Sequence, residues 1–139
     1  MIDKIFPSID AALADVADGA TVMIGGFGTA GLPNELTDAL LAQGARDLTI
    51  VNNNAGNGDT GLAALLAAGR VRKIICSFPR QVDSHHFDRL YRAGTIELEL
   101  VPQGNLAERL RDNARKLRLY AKLAKAMQME IDRLVLPRA

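Results

Sequence analysis

The sequence has one cysteine, no tryptophan and no long apolar run, and these shortages exclude several classes of protein. A lone cysteine forms neither an internal disulfide framework nor a cysteine-rich metal site, and Cys76, inside an apolar segment, is expected to be a core residue. No apolar run approaches the roughly 18 residues that a membrane helix requires. The N-terminal segment contains acidic residues and lacks the apolar stretch of a signal peptide. We therefore expect a cytoplasmic protein without a membrane partner.

What remains is the composition of an ordinary globular domain, with 48% hydrophobic and 24% charged residues. The charge is unevenly distributed, because residues 1–104 carry a net charge of −4 and residues 105–139 a net charge of +5. A basic tail can attract nucleic acid or an anionic ligand. The solvated face of a helix is the more ordinary interpretation, and we expect no nucleic-acid partner.

Short apolar runs alternate with helical patterns along the chain. The predicted strands are Thr21–Ile24, Leu48–Val51, Val71–Ser77 and Ile96–Val101. The predicted helices are Ile9–Val16, a helix from Pro33 to Leu41 that stops at Gly44, Leu62–Ala68 and Phe87–Arg92. Repeated βα units predict an α/β fold with a largely parallel sheet in a three-layer α/β/α arrangement.

Ligands of such sheets bind beyond the carboxyl ends of the strands. That rule places four segments on one rim: Gly25–Gly31, Asn52–Asn54, Ser77–Arg80 and Pro102–Asn105.

The last part of the chain has a different pattern. From Asn105 apolar residues recur at three- and four-residue steps, which predicts one long amphipathic helix up to Leu136. Its apolar stripe is expected to pack on the preceding domain or on a partner. We therefore predict two domains, residues 1–104 and residues 105–139.

The segment Ile24–Pro33, IGGFGTAGLP, contains a G-x-G-x-x-G motif between a predicted strand and a predicted helix. This is the context of a dinucleotide-binding loop. Such a site also needs an acidic residue at the end of the second strand, where this chain has Asn52–Asn54. The alternatives are a tight turn whose glycines only permit positive φ, or a loop whose backbone approaches another ligand, which we favour.

Four segments carry a family resemblance: DGATVMIGGFGTAGLP, VNNNAGNGDTGLAALL, SFPRQVDSHHFDRLY and ELELVPQGNLAERLR. They resemble the A subunits of family I coenzyme A transferases over about residues 1–111. Within the family, GNGDTGLAALL and SFPRQ are more similar to the 3-oxoadipate branch than to the ketone-body branch.

The resemblance implies the transfer of CoA from succinyl-CoA to a 3-oxo acid, most simply the dicarboxylic 3-oxoadipate, through a glutamyl-CoA thioester. In this family the nucleophilic glutamate belongs to a Ser-Glu-Asn-Gly motif of the B subunit, and no such motif occurs here. We therefore expect no catalytic nucleophile in this chain, a partner B subunit in a hetero-oligomer, and no activity of the chain alone. Coenzyme A would be a substrate, with no permanently bound cofactor.

The resemblance also implies binding residues. The CoA loop would consist of Gly25, Gly26, Phe27, Gly28, Thr29, Ala30 and Gly31. Asn53 and Asn54 would lie beside the acyl and carboxylate groups, and Gln103 would orient the thioester. From charge and position we add Arg80 as a partner for the distal carboxylate of the substrate. Because His85 and His86 are consecutive, we expect their rings to point in different directions on a helix. We see no cysteine or acidic residue at metal-ligand spacing from them, so we expect surface or interface residues and no metal site.

The chain departs from the family after AERLR. Family A subunits continue with a segment of the type Ala-Gly-Gly-Ala-Gly-Ile, whereas here the sequence reads DNARKLRLYAKLAKAMQ. We therefore expect a truncated α/β domain followed by the helix. Three functions stay open: a transferase A subunit or a fragment of one, a CoA- or nucleotide-binding module, and an interaction protein without independent catalytic activity.

Overall fold

A computed structural model describes residues 5–112 of the chain. Its elements in chain order are α1 (Ile9–Leu13), β1 (Thr21–Met23), α2 (Asn34–Gln43), β2 (Leu48–Val51), α3 (Leu62–Ala67), β3 (Val71–Cys76), α4 (His85–Arg92) and β4 (Glu97–Leu100). Each lies within a few residues of its predicted bounds. Helix α2 ends at Gly44, whose left-handed φ of +96° supplies the predicted stop.

The chain divides into two units, Met1–Gln103 and Gly104–Ala139. Residues 103–112 are helical. The remainder of the predicted helix up to Leu136, and with it most of the predicted second domain, lies outside the described residues.

The sheet of the first unit is parallel throughout, with its strands in the sequential order β1-β2-β3-β4. Right-handed crossovers between sequential parallel strands place the connecting helices on one face. The helices accordingly pack in series, α1 on α2, α2 on α3 and α3 on α4. The predicted α/β class and parallel sheet are confirmed, and residues 5–103 supply the sheet and one helical layer of the expected three-layer arrangement.

The core lies between the sheet and these helices. Strand side chains alternate between the two faces, and the face toward the helices buries a continuous apolar set: Leu48, Ile50, Ile74, Cys76, Leu62, Leu65, Leu66 and Phe87. The prediction that Cys76 is a core residue is confirmed, and its burial raises the pKa of the thiol to about 11.

Cross-strand ion pairs join β3 to β4. Arg72 and Glu97 approach to 2.9 Å, and Lys73 and Glu99 to 2.8 Å. Because these pairs are partly exposed, each contributes little to stability. Within residues 5–112 no helix is long and apolar enough to cross a lipid bilayer.

Candidate ligand-binding site at the carboxyl edge of the sheet

The four segments predicted to share a rim meet at the carboxyl edge of the sheet. Residues of these segments, together with Gln81 one position beyond the third, line a cavity of about 390 Å³: Phe27, Asn53, Ser77, Phe78, Gln81 and Gln103. One or more of these residues follows each strand, so the parallel topology itself assembles the cavity. Of the residues proposed from the sequence, Phe27, Asn53 and Gln103 come together here.

The glycine loop after β1 forms a small hairpin. Phe27 and Ala30 exchange two backbone hydrogen bonds of 3.0 Å, and Gly28, at φ +64°, begins the two-residue turn between them. Helix α2 begins only at Asn34. The hairpin therefore separates the G-x-G-x-x-G motif from the helix N-terminus, unlike a dinucleotide-binding loop, in which the motif opens the helix.

A side chain and two backbone amides of this hairpin are available to a ligand. Phe27 is 65% exposed and lines the cavity. Within the described residues the Gly28 and Thr29 amides donate no hydrogen bond, and both residues border a second depression of about 230 Å³. The glycines thus form the tight turn that the first alternative predicted. The turn also leaves two backbone amides without a partner, which the second alternative, a loop that approaches a ligand, requires.

The consecutive asparagines after β2 divide into two roles. The Asn52 side chain donates to the Ile24 carbonyl over 2.6 Å and accepts from the Asn54 amide over 2.9 Å. This buried side chain ties the end of β2 to the end of β1. Sequence reasoning misses this role of Asn52, although its position directly after a buried strand signals it.

Asn54 was predicted to contact the acyl group, but its side chain is used within the protein. It is 0% exposed, donates to the Gly28 carbonyl over 3.3 Å and accepts from the Gly56 amide over 2.8 Å. Asn53, in contrast, lines the cavity, and its amide group makes no hydrogen bond within the described residues. The structure therefore leaves Asn53 free to meet a ligand and makes Asn54 a scaffold of the site.

Ser77 is a polar cavity residue that was not proposed from the sequence. Its Oγ is buried and has no hydrogen-bond partner among the described residues. A buried hydroxyl without a partner is costly, and a ligand in the cavity would satisfy it. The backbone carbonyl of Asn53 holds the segment in place by accepting from the amides of Ser77 and Phe78. Ser77, Phe78 and Gln81 follow the third strand, and that position on the rim was the signal for them.

Arg80 lies outside the cavity lining. Its side chain is 66% exposed and its guanidinium donates to Asp88 over 2.8 Å. The predicted pairing with a substrate carboxylate therefore draws no support from the geometry. All six lining residues are uncharged, so the cavity offers amides, a hydroxyl and two phenyl rings.

The prediction for His85 and His86 is wrong in its geometry, because the rings converge. Their centroids are 4.0 Å apart, and the Nε2 atoms lie 3.2 and 2.8 Å from Asp59 Oδ1. The hydrogen bond to His86 lowers the pKa of Asp59, and the hydrogen bond to Asp83 raises the pKa of His85. Asp59 comes from a different loop, which consecutive positions in a sequence do not reveal.

Comparison with known proteins identifies relatives of this chain. The family model described as coenzyme A transferase matches residues 6–129. The A subunit of 3-oxoadipate CoA-transferase from Pseudomonas putida is 68% identical over 110 residues, covering 79% of this chain and 48% of that protein. The same subunit from Acinetobacter baylyi is 66% identical over equal shares of the two chains.

More distant relatives agree. The human mitochondrial succinyl-CoA:3-ketoacid coenzyme A transferase 2 is 52% identical over 97 residues, which cover 70% of this chain and 18% of that protein. Among solved structures, a variant of the decarboxylase AibA/AibB is similar with a TM-score of 0.55 at 28% identity, covering 67% of this chain and 37% of that one.

The chain spans about half the length of the bacterial relatives that it matches. The family match extends over most of the sequence and includes every segment that lines the cavity. The resemblance found in the sequence is therefore confirmed: this chain belongs to the coenzyme A transferase family.

Proposed function

We propose that this chain acts as the A subunit, or as a part of one, of a transferase that moves CoA from succinyl-CoA to a 3-oxo acid, with 3-oxoadipate as the first acceptor to test. A matching B subunit would complete the enzyme in a hetero-oligomer, and the cytoplasm is its proposed compartment. The observation that carries the proposal is the cavity at the carboxyl edge, whose lining consists of uncharged donors and aromatic rings.

The absence of charge in this lining fits an accessory wall. Transfer through a glutamyl thioester requires a carboxylate nucleophile, and no carboxylate belongs to the residues that line the cavity. The nucleophile would come from the B subunit. A neutral amide or hydroxyl can donate to a developing oxyanion without forming an ion pair with the attacking carboxylate.

The chemistry has two exchanges. The B subunit's glutamate attacks the thioester of succinyl-CoA, which releases the CoA thiolate and forms a mixed anhydride. The thiolate attacks the glutamyl carbonyl, which releases succinate and leaves glutamyl-CoA. The carboxylate of the 3-oxo acid then attacks glutamyl-CoA and expels the thiolate. The thiolate attacks the acyl carbonyl of the new anhydride, forming 3-oxoacyl-CoA and restoring the glutamate.

Within this scheme the A subunit's side chains bind and orient. Ser77 Oγ has no hydrogen-bond partner among the described residues, and Ser77 and Asn53 both line the cavity, where their hydroxyl and side-chain amide would hold an acyl oxygen. Gln103 would contribute a third donor. The exposed rings of Phe27 and Phe78 offer apolar area for the pantetheine arm, and the free amides of the hairpin turn offer donors to its carbonyl groups.

The test is reconstitution. The chain is co-expressed with the B subunit that accompanies the Pseudomonas putida relative, and 3-oxoadipyl-CoA formation from succinyl-CoA is measured. We expect turnover from the complex and none from the isolated chain. Ser77→Ala should lower kcat by roughly 100-fold, the effect of losing one oxyanion donor. Ser8→Ala, which removes only the hydroxyl that caps α1, is the matched control.

Two results would contradict the proposal. Turnover by the isolated chain would place the nucleophile within it. A complex that forms but is inactive with both 3-oxoadipate and 3-oxobutyrate would exclude transfer. In that second case, saturable CoA binding by calorimetry would favour the binding-module alternative.

A further inference from the structure

Three side chains, one from a loop and two from the start of a helix, converge on the surface beside the carboxyl edge. Asp59 belongs to the loop between β2 and α3, whereas His85 and His86 begin α4. One ligand atom from each lies within 4.8 Å of the others. We propose that Asp59, His85 and His86 bind a divalent transition-metal ion of the Zn²⁺ or Co²⁺ type.

The donor set fits this class of ion. Two imidazole nitrogens and one carboxylate oxygen suit zinc and its neighbours, whereas calcium and magnesium prefer oxygen ligands alone. Tetrahedral zinc with bonds of about 2.1 Å places its ligands roughly 3.4 Å apart. The distances from Asp59 Oδ1 to the two Nε2 atoms, 3.2 and 2.8 Å, are close to that separation.

Small rotations would suffice to seat the ion. The Asp59 side chain is 78% exposed, so apart from its hydrogen bonds to the two rings it has room to turn, and the ring of His85 is about half exposed. Solvent access on that side would allow water to complete the coordination shell, as an open zinc site requires.

The carboxylate of Asp83 orients the ring of His85. His85 Nδ1 lies 2.8 Å from Asp83 Oδ1, so a proton on Nδ1 is held there and Nε2 is directed toward Asp59. Metal-binding histidines commonly donate their second nitrogen to a carboxylate in this way. For His86, Nδ1 is buried, which leaves Nε2 as the nitrogen that faces Asp59.

The two loops that carry the ligands are also joined by hydrogen bonds. The Gly58 amide donates to the Asp83 carbonyl over 2.8 Å, and the Asp83 amide donates to Asn57 Oδ1 over 2.9 Å. The ligands are therefore positioned by a connected backbone before any ion arrives, which lowers the ordering cost of binding. A bound ion would clamp the loop after β2 to the start of α4, next to the cavity but apart from its lining.

The chain offers a clean test, because these two histidines are the only ones it has and its one cysteine is buried. The untagged full chain is titrated with Co²⁺, followed by visible absorption, and then with Zn²⁺ in competition, followed by calorimetry. We expect one ion per chain and a ligand-field spectrum of low coordination number. Asp59→Asn and His86→Gln should each weaken binding at least tenfold, and Asp83→Asn should weaken it about 10- to 100-fold by releasing the His85 ring.

Asp38→Asn, an equal change of charge at an exposed position on α2, is the matched control and should leave the affinity unchanged. Circular dichroism establishes that each variant is folded. Should the histidine variants unfold, Asp59→Asn still decides the question because its side chain is exposed. The proposal is overturned if no saturable binding occurs up to about 1 mM metal, or if Asp59→Asn binds as tightly as the parent.

Discussion

The two loops that follow β1 and β2 both contribute to the cavity, but they are held in place by different kinds of hydrogen bond. The loop after β2, residues 52–61, is held by side chains that are themselves buried: Asn54 bonds the Gly56 amide and Ser84 Oγ donates to the Gly56 carbonyl over 3.0 Å. The hairpin after β1, residues 25–31, closes mainly on itself and exposes Phe27. One sheet edge can therefore supply two kinds of wall. Residues 52–61 form a fixed wall, in which every buried polar group needs its partner, and residues 25–31 form an exposed wall, which can face a ligand.

The largest effect should come from filling space in the fixed wall. Gly56 has φ +87°, and a Cβ there would lie 2.8 Å from the backbone nitrogen of Ala63. Backbone cannot move aside as a side chain can, so Gly56→Ala combines left-handed strain with overpacking. We expect a loss of about 2–5 kcal/mol in the free energy of unfolding, measured by urea denaturation.

Gly58→Ala is the matched control in the same loop. Its φ is +67°, but a Cβ would meet only Asp83 Oδ2 at 3.9 Å. It should lose only the conformational strain of about 1–2 kcal/mol. Equal losses at the two positions would show that crowding against α3 is unimportant.

Neighbouring asparagines sharpen the comparison. Asn54→Ala removes the acceptor of the buried Gly56 amide, and we expect a destabilisation of about 1–3 kcal/mol. Asn53→Ala should change stability by less than about 0.5 kcal/mol while lowering transferase activity in the reconstituted complex. Thermal denaturation and the CoA-transfer assay on the same preparations measure both effects. A reversed pattern would mean that the two roles have been exchanged.

The pH dependence of stability tests how fully the Cys76 thiol is removed from water in the core. Burial raises the pKa of Cys76 from 9.0 to about 11, so between these values the unfolded chain releases a proton that the folded chain retains. Stability contributed by the neutral thiol is complete below pH 9 and is lost as the pH rises toward 11. At pH 10 the loss should be about 1 kcal/mol.

Cys76→Ala is the control for that measurement, because it lacks the titrating group. Its overall stability will be lower, but its free energy of unfolding should fall less steeply between pH 9 and 11. Parallel slopes for parent and variant would contradict the assigned pKa.

The smallest effect on stability is expected in the exposed wall. Phe27→Ala removes a ring that contacts solvent more than protein, so the free energy of unfolding should change by less than about 0.5 kcal/mol. CoA affinity of the reconstituted complex should nevertheless fall, since the ring supplies apolar area at the cavity. Isothermal titration measures it, and a large stability loss without weaker binding would assign Phe27 to the fold instead.

Much of the fold could be predicted because strand and helix periods differ. The run Leu48–Val51 is apolar except for Thr49 and is bounded by polar residues, and the structure gives it the same bounds. The rim followed from parallel topology, which brings Asn53 and Gln103 to one cavity although 50 positions separate them.

The separate roles of neighbouring residues in the site were harder to predict from the sequence. Which of two adjacent asparagines is buried depends on hydrogen bonds to Gly28 and Gly56, which come from other turns of the loops. The approach of Asp59 to His85 and His86 likewise depends on the contact between two loops. Local periodicity carries no information about such contacts, and only the folded chain reveals them.

The sequential strand order has a consequence for how the chain is made. Paired residues on adjacent strands lie only 23 to 28 positions apart, so each pairing closes a loop of nearly the same modest length. A nascent chain can add one strand at a time as it leaves the ribosome, without waiting for its far end. The pairing of β1 with β2, and with it the hydrogen bond of Asn52 to the Ile24 carbonyl, involves no residue that follows Asn52 in the chain.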